Sequence, residues 1–79
     1  MSKVNKVVRS INLRGEEMCV DIFLRPDGSF GFEEYRRDLE DQGGWFAVGF
    51  FGSEVFSSES EALREARARI RWLDEQLRQ

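Results

Sequence analysis

The sequence predicts an α+β fold, in which a four-stranded antiparallel β-meander (β-β-β-β-α) is followed by one C-terminal amphipathic helix packed on one sheet face. Two observations lead to this prediction. In residues 18–25 every second residue is apolar, which is typical of a strand with one buried face. In residues 62–77 apolar residues recur at steps of three and four, which places them on one side of a helix. No linker, repeat or low-complexity tract divides the 79 residues, so we predict a single domain over 1–79.

The first three strands are predicted from alternation and turn residues. In the first, Val7, Ile11 and Leu13 share one face. The second strand buries its alternating apolar residues, and Pro26-Asp27-Gly28 then makes a hairpin turn, because proline presets φ and glycine accepts a positive φ. The predicted strands cover residues 4–13, 17–25, 29–37 and 45–51, with a short return strand at 54–56.

The fourth strand and the helix complete the prediction. Both faces of residues 45–51 are apolar, as in a central strand. Ser58 and Glu61 have the spacing of a capping box, in which the serine accepts from a free backbone N–H and the glutamate reaches back. We therefore predict a helix over about 58–77. Its predicted sheet-facing residues are Ala62, Leu63, Ala66, Ile70, Leu73 and Leu77.

Composition limits the chemistry. The chain has no histidine and only one cysteine, Cys19, so an intramolecular disulfide is impossible and the common zinc ligand sets are absent. Histidine is the usual general base for a nucleophile, and an adjacent carboxylate such as Asp21 raises the pKa of a thiol. We predict no catalytic site, no cofactor and no metal. With no apolar leader or membrane-length run, a cytoplasmic location is expected.

The expected function is protein interaction. A core of this size supplies at most about 3–5 kcal/mol of net stability, and self-association is the remedy that remains without disulfides or metals. One helix covers one sheet face, so aromatic residues on the other face are expected to contact a partner, either a second copy or another protein. The alternative is that the N-terminal strand or the acidic loop covers them. The predicted interaction residues are Phe23, Arg25, Tyr35, Trp45, Phe51 and Trp72.

The alternative function is nucleic-acid binding through the sheet face and the basic N-terminal strand. The net charge of −3 does not favour it, since phosphate-binding domains usually carry a basic excess. Residues 1–14 nevertheless contain four basic residues and no acidic one. The candidate contacts are Lys3, Lys6, Arg9, Arg14, Arg25, Arg36 and Arg37.

One segment resembles known folds. Residues 44–52 lead through Phe56 and Ser58 to Glu61-Ala62, an F-x-S-x-x-E-A pattern. This is similar to the strand, turn and helix entry of the three-stranded DNA-binding fold of phage-type integrases and plant ethylene-response factors, and to the HicB antitoxin fold. The first resemblance implies a DNA-binding sheet and the second a protein-binding one. The match is a hairpin strand followed by a capped helix, and we assign no family on it.

Overall fold

Four antiparallel strands form one sheet, in which their order β1-β2-β3-β4 is their order along the chain. The computed structural model describes residues 4–13, 17–37 and 44–78. The elements are β1 (Lys6–Asn12), β2 (Met18–Leu24), β3 (Phe30–Arg37), β4 (Trp45–Ala47), α1 (Glu59–Arg69) and α2 (Arg71–Leu77). The predicted α+β class and antiparallel four-stranded sheet are therefore confirmed.

The turn between β2 and β3 is the one that the sequence predicts. Gly28 has φ +91°, a left-handed conformation that glycine adopts readily. The Asp27 carboxylate accepts hydrogen bonds from the backbone N–H of Ser29 at 2.9 Å and from its hydroxyl at 2.7 Å. These hydrogen bonds lower the pKa of Asp27. A short polar side chain thus fixes the turn that sets the β2–β3 register.

The core lies between one face of the sheet and the helices. Val20, Ile22 and Phe32 are fully buried on the sheet side of this core. The helices contribute Ala62, Ala66 and Leu73, and the residue between them, Ile70, also contributes. The predicted apolar face of β2 therefore contacts the helices, and its end residues, Met18 and Leu24, are half-buried.

A β-bulge changes the face that β1 presents. The pairing shifts between Val7 and Arg9, so that Val7 lies opposite Phe23 and Arg9 lies opposite Ile22. The extra residue, Val8, packs against the core with Ile11, whereas Val7 is 52% exposed. The predicted grouping of Val7 with Ile11 is wrong, because a bulge interrupts the period of two on which it relied.

The predicted single helix is two helices. Ile70 separates α1 from α2 with the extended angles φ −118° and ψ 103°. Ile70 and Leu73 are both buried, so the predicted stripe reaches the core on either side of the break, but Leu77, also predicted to face the sheet, is 36% exposed. In α2, the Gln76 side chain donates a hydrogen bond to the backbone carbonyl of Asn12 on β1.

The N-terminus of α1 has the predicted cap. The Ser58 hydroxyl accepts from the backbone N–H of Glu61 at 3.1 Å. Glu61 in turn accepts from the backbone N–H of Ser57 at 3.0 Å, one residue before the cap. The helix start is therefore set by local side-chain chemistry. In the described part of the chain, no helix is long and apolar enough to cross a membrane.

β4 is shorter than the predicted strand over 45–51. It ends at Ala47, although Val48 still donates to the carbonyl of Glu34 at 2.9 Å. The chain then leaves the edge of β3 and returns at Phe56, which exchanges two backbone hydrogen bonds of 2.8 Å with Phe30. Residues 49–55 thus form a loop beside the middle of β3; we call it the edge loop.

Candidate interaction surface

The outer face of the sheet is the side opposite the helices. Because the helices contact Val20, Ile22 and Phe32, the alternate residues of β2 and β3 point the other way. The outer-face residues of these two strands and the turn after β2 are Cys19, Asp21, Phe23, Arg25, Gly31, Glu33, Tyr35 and Arg37. Three predicted interaction residues, Phe23, Arg25 and Tyr35, therefore lie on one face.

Phe23 is on the outer face but is only 7% exposed. Its ring lies over Gly31, where an added Cβ would sit 2.8 Å from the ring atoms. The Arg25 guanidinium covers the ring, with its carbon 5.0 Å from the ring centroid, a cation–π distance. The protein's own residues thus cover most of the Phe23 ring.

Arg25 and Glu33 together hold the edge loop. Arg25 Nη2 donates to the carbonyl oxygens of Gly52 at 2.7 Å and Glu54 at 2.9 Å. The Glu33 carboxylate accepts from the backbone N–H groups of Phe51 at 3.2 Å and Gly52 at 3.1 Å. Two oppositely charged side chains, one just after β2 and one on β3, therefore bind loop backbone with charge-assisted hydrogen bonds, which are stronger than neutral ones.

Phe51 and Trp72 lie on the helix side of the sheet. The Phe51 ring centroid is 5.1 Å from that of Phe32, and the Arg69 guanidinium lies over the Phe51 ring at 5.8 Å. Trp72 packs against the core, and its Nε1 donates to the Glu34 carboxylate at 2.8 Å. This hydrogen bond satisfies the inward-facing glutamate of β3. Two of the predicted interaction residues are thus partly buried members of the protein's interior.

Three aromatic residues remain exposed in the segment of residues 45–50, which we call the aromatic segment. Trp45 is 42% exposed, Phe46 is 46% exposed and Phe50 is 81% exposed. Phe50 has φ 57°, a left-handed conformation that is uncommon for a bulky residue. The hydrogen bonds of Phe51 and Gly52 to Glu33 fix the chain directly after it. The strained conformation holds one large ring in solvent.

A shallow groove of about 230 Å³ also opens on the outer face. Its lining consists of Ser10, Asn12, Cys19, Asp21, Tyr35 and Trp45. Asp21 Oδ1 accepts from the Ser10 hydroxyl at 2.6 Å and from the Cys19 thiol at 3.2 Å.

Burial and the nearby Asp21 carboxylate raise the pKa of the Cys19 thiol, which holds it in the protonated form. Burial, Asp21 and Glu33 likewise raise the pKa of Tyr35. Neither group is activated as a nucleophile or base at neutral pH. Among the described residues, no three His, Cys, Asp or Glu side chains are grouped to hold a metal ion.

The basic residues of the alternative nucleic-acid surface point in different directions. Arg9 and Arg36 lie opposite Ile22 and Met18 and so are on the helix side. Arg9 is paired with Glu59 at 2.8 Å. Arg25 and Arg37 are on the outer face, Lys6 pairs with Leu24 at the start of β1, and Lys3 and Arg14 lie outside the described residues. The described basic residues therefore do not share one face.

Sequence reasoning missed three residues of this region. Glu33 is 8% exposed and holds the edge loop, but its acidic neighbours in the sequence indicate a solvated acidic turn. Phe46 and Phe50 are exposed, although alternation placed them in a strand buried on both faces. One available signal was the absence of charged residues from 42–53, since an uncharged segment at a sheet edge is unusual on a free surface.

Comparison with known proteins identifies no similar protein. No family model matches the chain, no curated protein matches it, and no solved structure matches it. The function is therefore argued from the geometry of the described residues.

Proposed function

We propose that this chain is a small non-enzymatic protein-interaction module that forms a homodimer. The observation that carries the proposal is the aromatic segment, in which Trp45, Phe46 and Phe50 are all exposed at one edge of the sheet. Exposed apolar patches on small proteins mark contact surfaces, and aromatic residues dominate the binding energy of such surfaces. The surface lies on the β4 side of the sheet, and of the residues predicted from the sequence only Trp45 belongs to it.

The composition of the aromatic segment favours a second copy as the partner. A two-fold homodimer places the residues on its symmetry axis against their own copies, so a charge at the axis faces a like charge. The aromatic segment contains no charged residue and therefore meets itself without repulsion. A 79-residue chain also gains the most from burying further apolar surface, because its own core is small.

The absence of catalysis is part of the proposal. Its support is the protonated state of Cys19, whose thiol donates to Asp21 instead of being deprotonated by a base. In the outer-face groove, the Ser10 hydroxyl and the Cys19 thiol are thus already engaged with the Asp21 carboxylate.

Sedimentation velocity over about 1–300 µM tests the proposal, a range that covers the dissociation constants of weak homodimers. We expect the mean sedimentation coefficient to rise from a monomer to a dimer value. Phe50→Ser should weaken this association. Val4→Ser is the matched control, because Val4 is 77% exposed but precedes β1 at the other side of the sheet.

A wild-type chain that stays monomeric over the whole range would overturn the proposal. If Val4→Ser weakens the dimer as much as Phe50→Ser does, the aromatic segment is not the contact surface of the dimer.

A further inference from the structure

The backbone groups of β4 that face away from β3 can be assigned from two hydrogen bonds. Arg37 donates to the carbonyl of Glu17, on the β2 side, and Val48 donates to the carbonyl of Glu34. Since backbone direction alternates along an antiparallel strand, Arg36 faces β4 and exchanges its hydrogen bonds with Phe46. The N–H and C=O groups of Trp45 and Ala47 therefore point away from the sheet.

We propose that two copies of this chain pair through β4, antiparallel, about a two-fold axis at Phe46, so that the two sheets become continuous. This inference rests on the proposed homodimer and specifies its interface. In this register Trp45 and the partner's Ala47 exchange two backbone hydrogen bonds, and Ala47 and the partner's Trp45 exchange two more. The four hydrogen bonds use the groups that point away from the sheet.

The side chains fit the same register. Residues opposite each other across an antiparallel pair lie on the same face, so Trp45 of each copy lies over the small side chain of Ala47 in the other. On the helix side the two Phe46 rings meet as a non-hydrogen-bonded pair, the closer kind of pair. A large residue thus faces a small one twice on one face, and two aromatic rings meet on the other.

An axis shifted by one residue fits less well. An axis at Ala47 would pair Trp45 with the partner's Gly49, yet β4 ends at Ala47 and the chain bends at Gly49. A Cβ at Gly49 would also collide with the Phe51 ring, so the chain is tightly packed there. The axis at Phe46 uses only residues that are in the strand.

Charge substitutions at the axis test the register. Phe46 is 46% exposed, so changing it leaves the core of the monomer intact. Phe46→Lys places two ammonium groups opposite each other and should raise the dimer dissociation constant at least about tenfold. Phe46→Glu should also weaken the dimer, but less, since Arg36 lies beside it on β3. An equimolar mixture of the two variants should form a heterodimer more stable than either homodimer.

Native mass spectrometry and sedimentation of the mixture measure how much heterodimer forms. Val7→Lys and Val7→Glu are the matched controls, because Val7 is 52% exposed on β1, the opposite edge strand. A wild-type monomer would overturn both the proposed function and this inference. If the wild type dimerises but Phe46→Lys or Phe46→Glu leaves the dimer dissociation constant unchanged, the β4 register alone is overturned. The same conclusion follows if both variants weaken the dimer but their mixture forms no stable heterodimer.

A cysteine at the axis provides a second measurement. Phe46→Cys should form an intermolecular disulfide under mild oxidation, because opposite residues in a non-hydrogen-bonded pair have the required Cα separation. The native Cys19 is 7% exposed and does not compete. Ala47→Cys should cross-link far more slowly. Faster cross-linking at 47 than at 46, seen on a non-reducing gel, would overturn the axis at Phe46.

Discussion

The two edge strands of the sheet differ in whether they carry features that prevent pairing with a further strand. β1 carries Lys6 and Arg9 and contains a bulge at Val8, and charges and bulges are the features by which natural sheets prevent edge-to-edge pairing. β4 has no charge and no bulge, and its Trp45 and Phe46 are exposed. The comparison indicates that one edge is protected against pairing and the other is suited to it.

The two edges of the sheet are also joined to neighbouring segments by different kinds of contact. On the β1 side, the exposed pair Arg9–Glu59 joins the strand to α1, with side-chain exposures of 50% and 35%. On the β4 side, the buried Glu33 carboxylate binds backbone N–H groups of the edge loop. Exposed ion pairs contribute about 0–1 kcal/mol, whereas buried charged groups contribute more when they are satisfied. The contacts beside β4 are therefore expected to contribute more to stability than the ion pair beside β1.

The largest expected effect is on the free energy of unfolding of the Glu33→Ala variant. Loss of the Glu33 carboxylate leaves the N–H groups of Phe51 and Gly52 without their acceptor, which should lower the free energy of unfolding by about 2–3 kcal/mol. Glu33→Gln keeps one acceptor oxygen and should lose less. Glu59→Ala, the matched change on the β1 side, should lose under about 1 kcal/mol. Urea denaturation measures all three, and equal losses for Glu33→Ala and Glu59→Ala would contradict the contrast between the two sides.

An intermediate effect is expected when the protection of β1 is removed. The double variant Lys6→Val and Arg9→Val makes this edge apolar, so it should form assemblies larger than a dimer. Light scattering against concentration measures this change. The control double variant Arg64→Val and Arg71→Val makes the same change of charge on exposed helix residues and should leave the assembly state unchanged. Equal aggregation of both double variants would mean that added hydrophobicity, and not the edge, is responsible.

The smallest expected effect is a gain in stability. Phe50→Gly removes a bulky residue from φ 57°, where glycine is unstrained, and should stabilise the monomer by about 0.5–1 kcal/mol. It should at the same time weaken the dimer, because the exposed ring is lost. Denaturation at a concentration below the dimer dissociation constant isolates the monomer's change. A loss of monomer stability would show that Phe50 packs against its own chain.

Part of the fold follows from local sequence patterns. Pro26-Asp27-Gly28 specifies its turn and Ser58 specifies the start of α1, because both depend on side chains that hydrogen-bond to the neighbouring backbone. The alternation in β2 correctly identifies Val20 and Ile22 as core. The candidate surface was less predictable. The sequence places Trp45, Phe51 and Trp72 together as interaction residues, whereas in the structure Phe51 and Trp72 pack against the core and Trp45 is exposed.

The sequence by itself determined the strand order, the buried face of β2 and the lack of charge in residues 42–53, since each depends on neighbouring residues in the chain. Only the tertiary structure decided which rings are exposed. Phe50 and Phe51 are adjacent, yet one lies in solvent and the other contacts Phe32, because Arg25 and Glu33 hold the edge loop from distant positions in the sequence. The bulge at Val8 and the break at Ile70 are likewise adjustments to packing across the sheet, which no local periodicity contains.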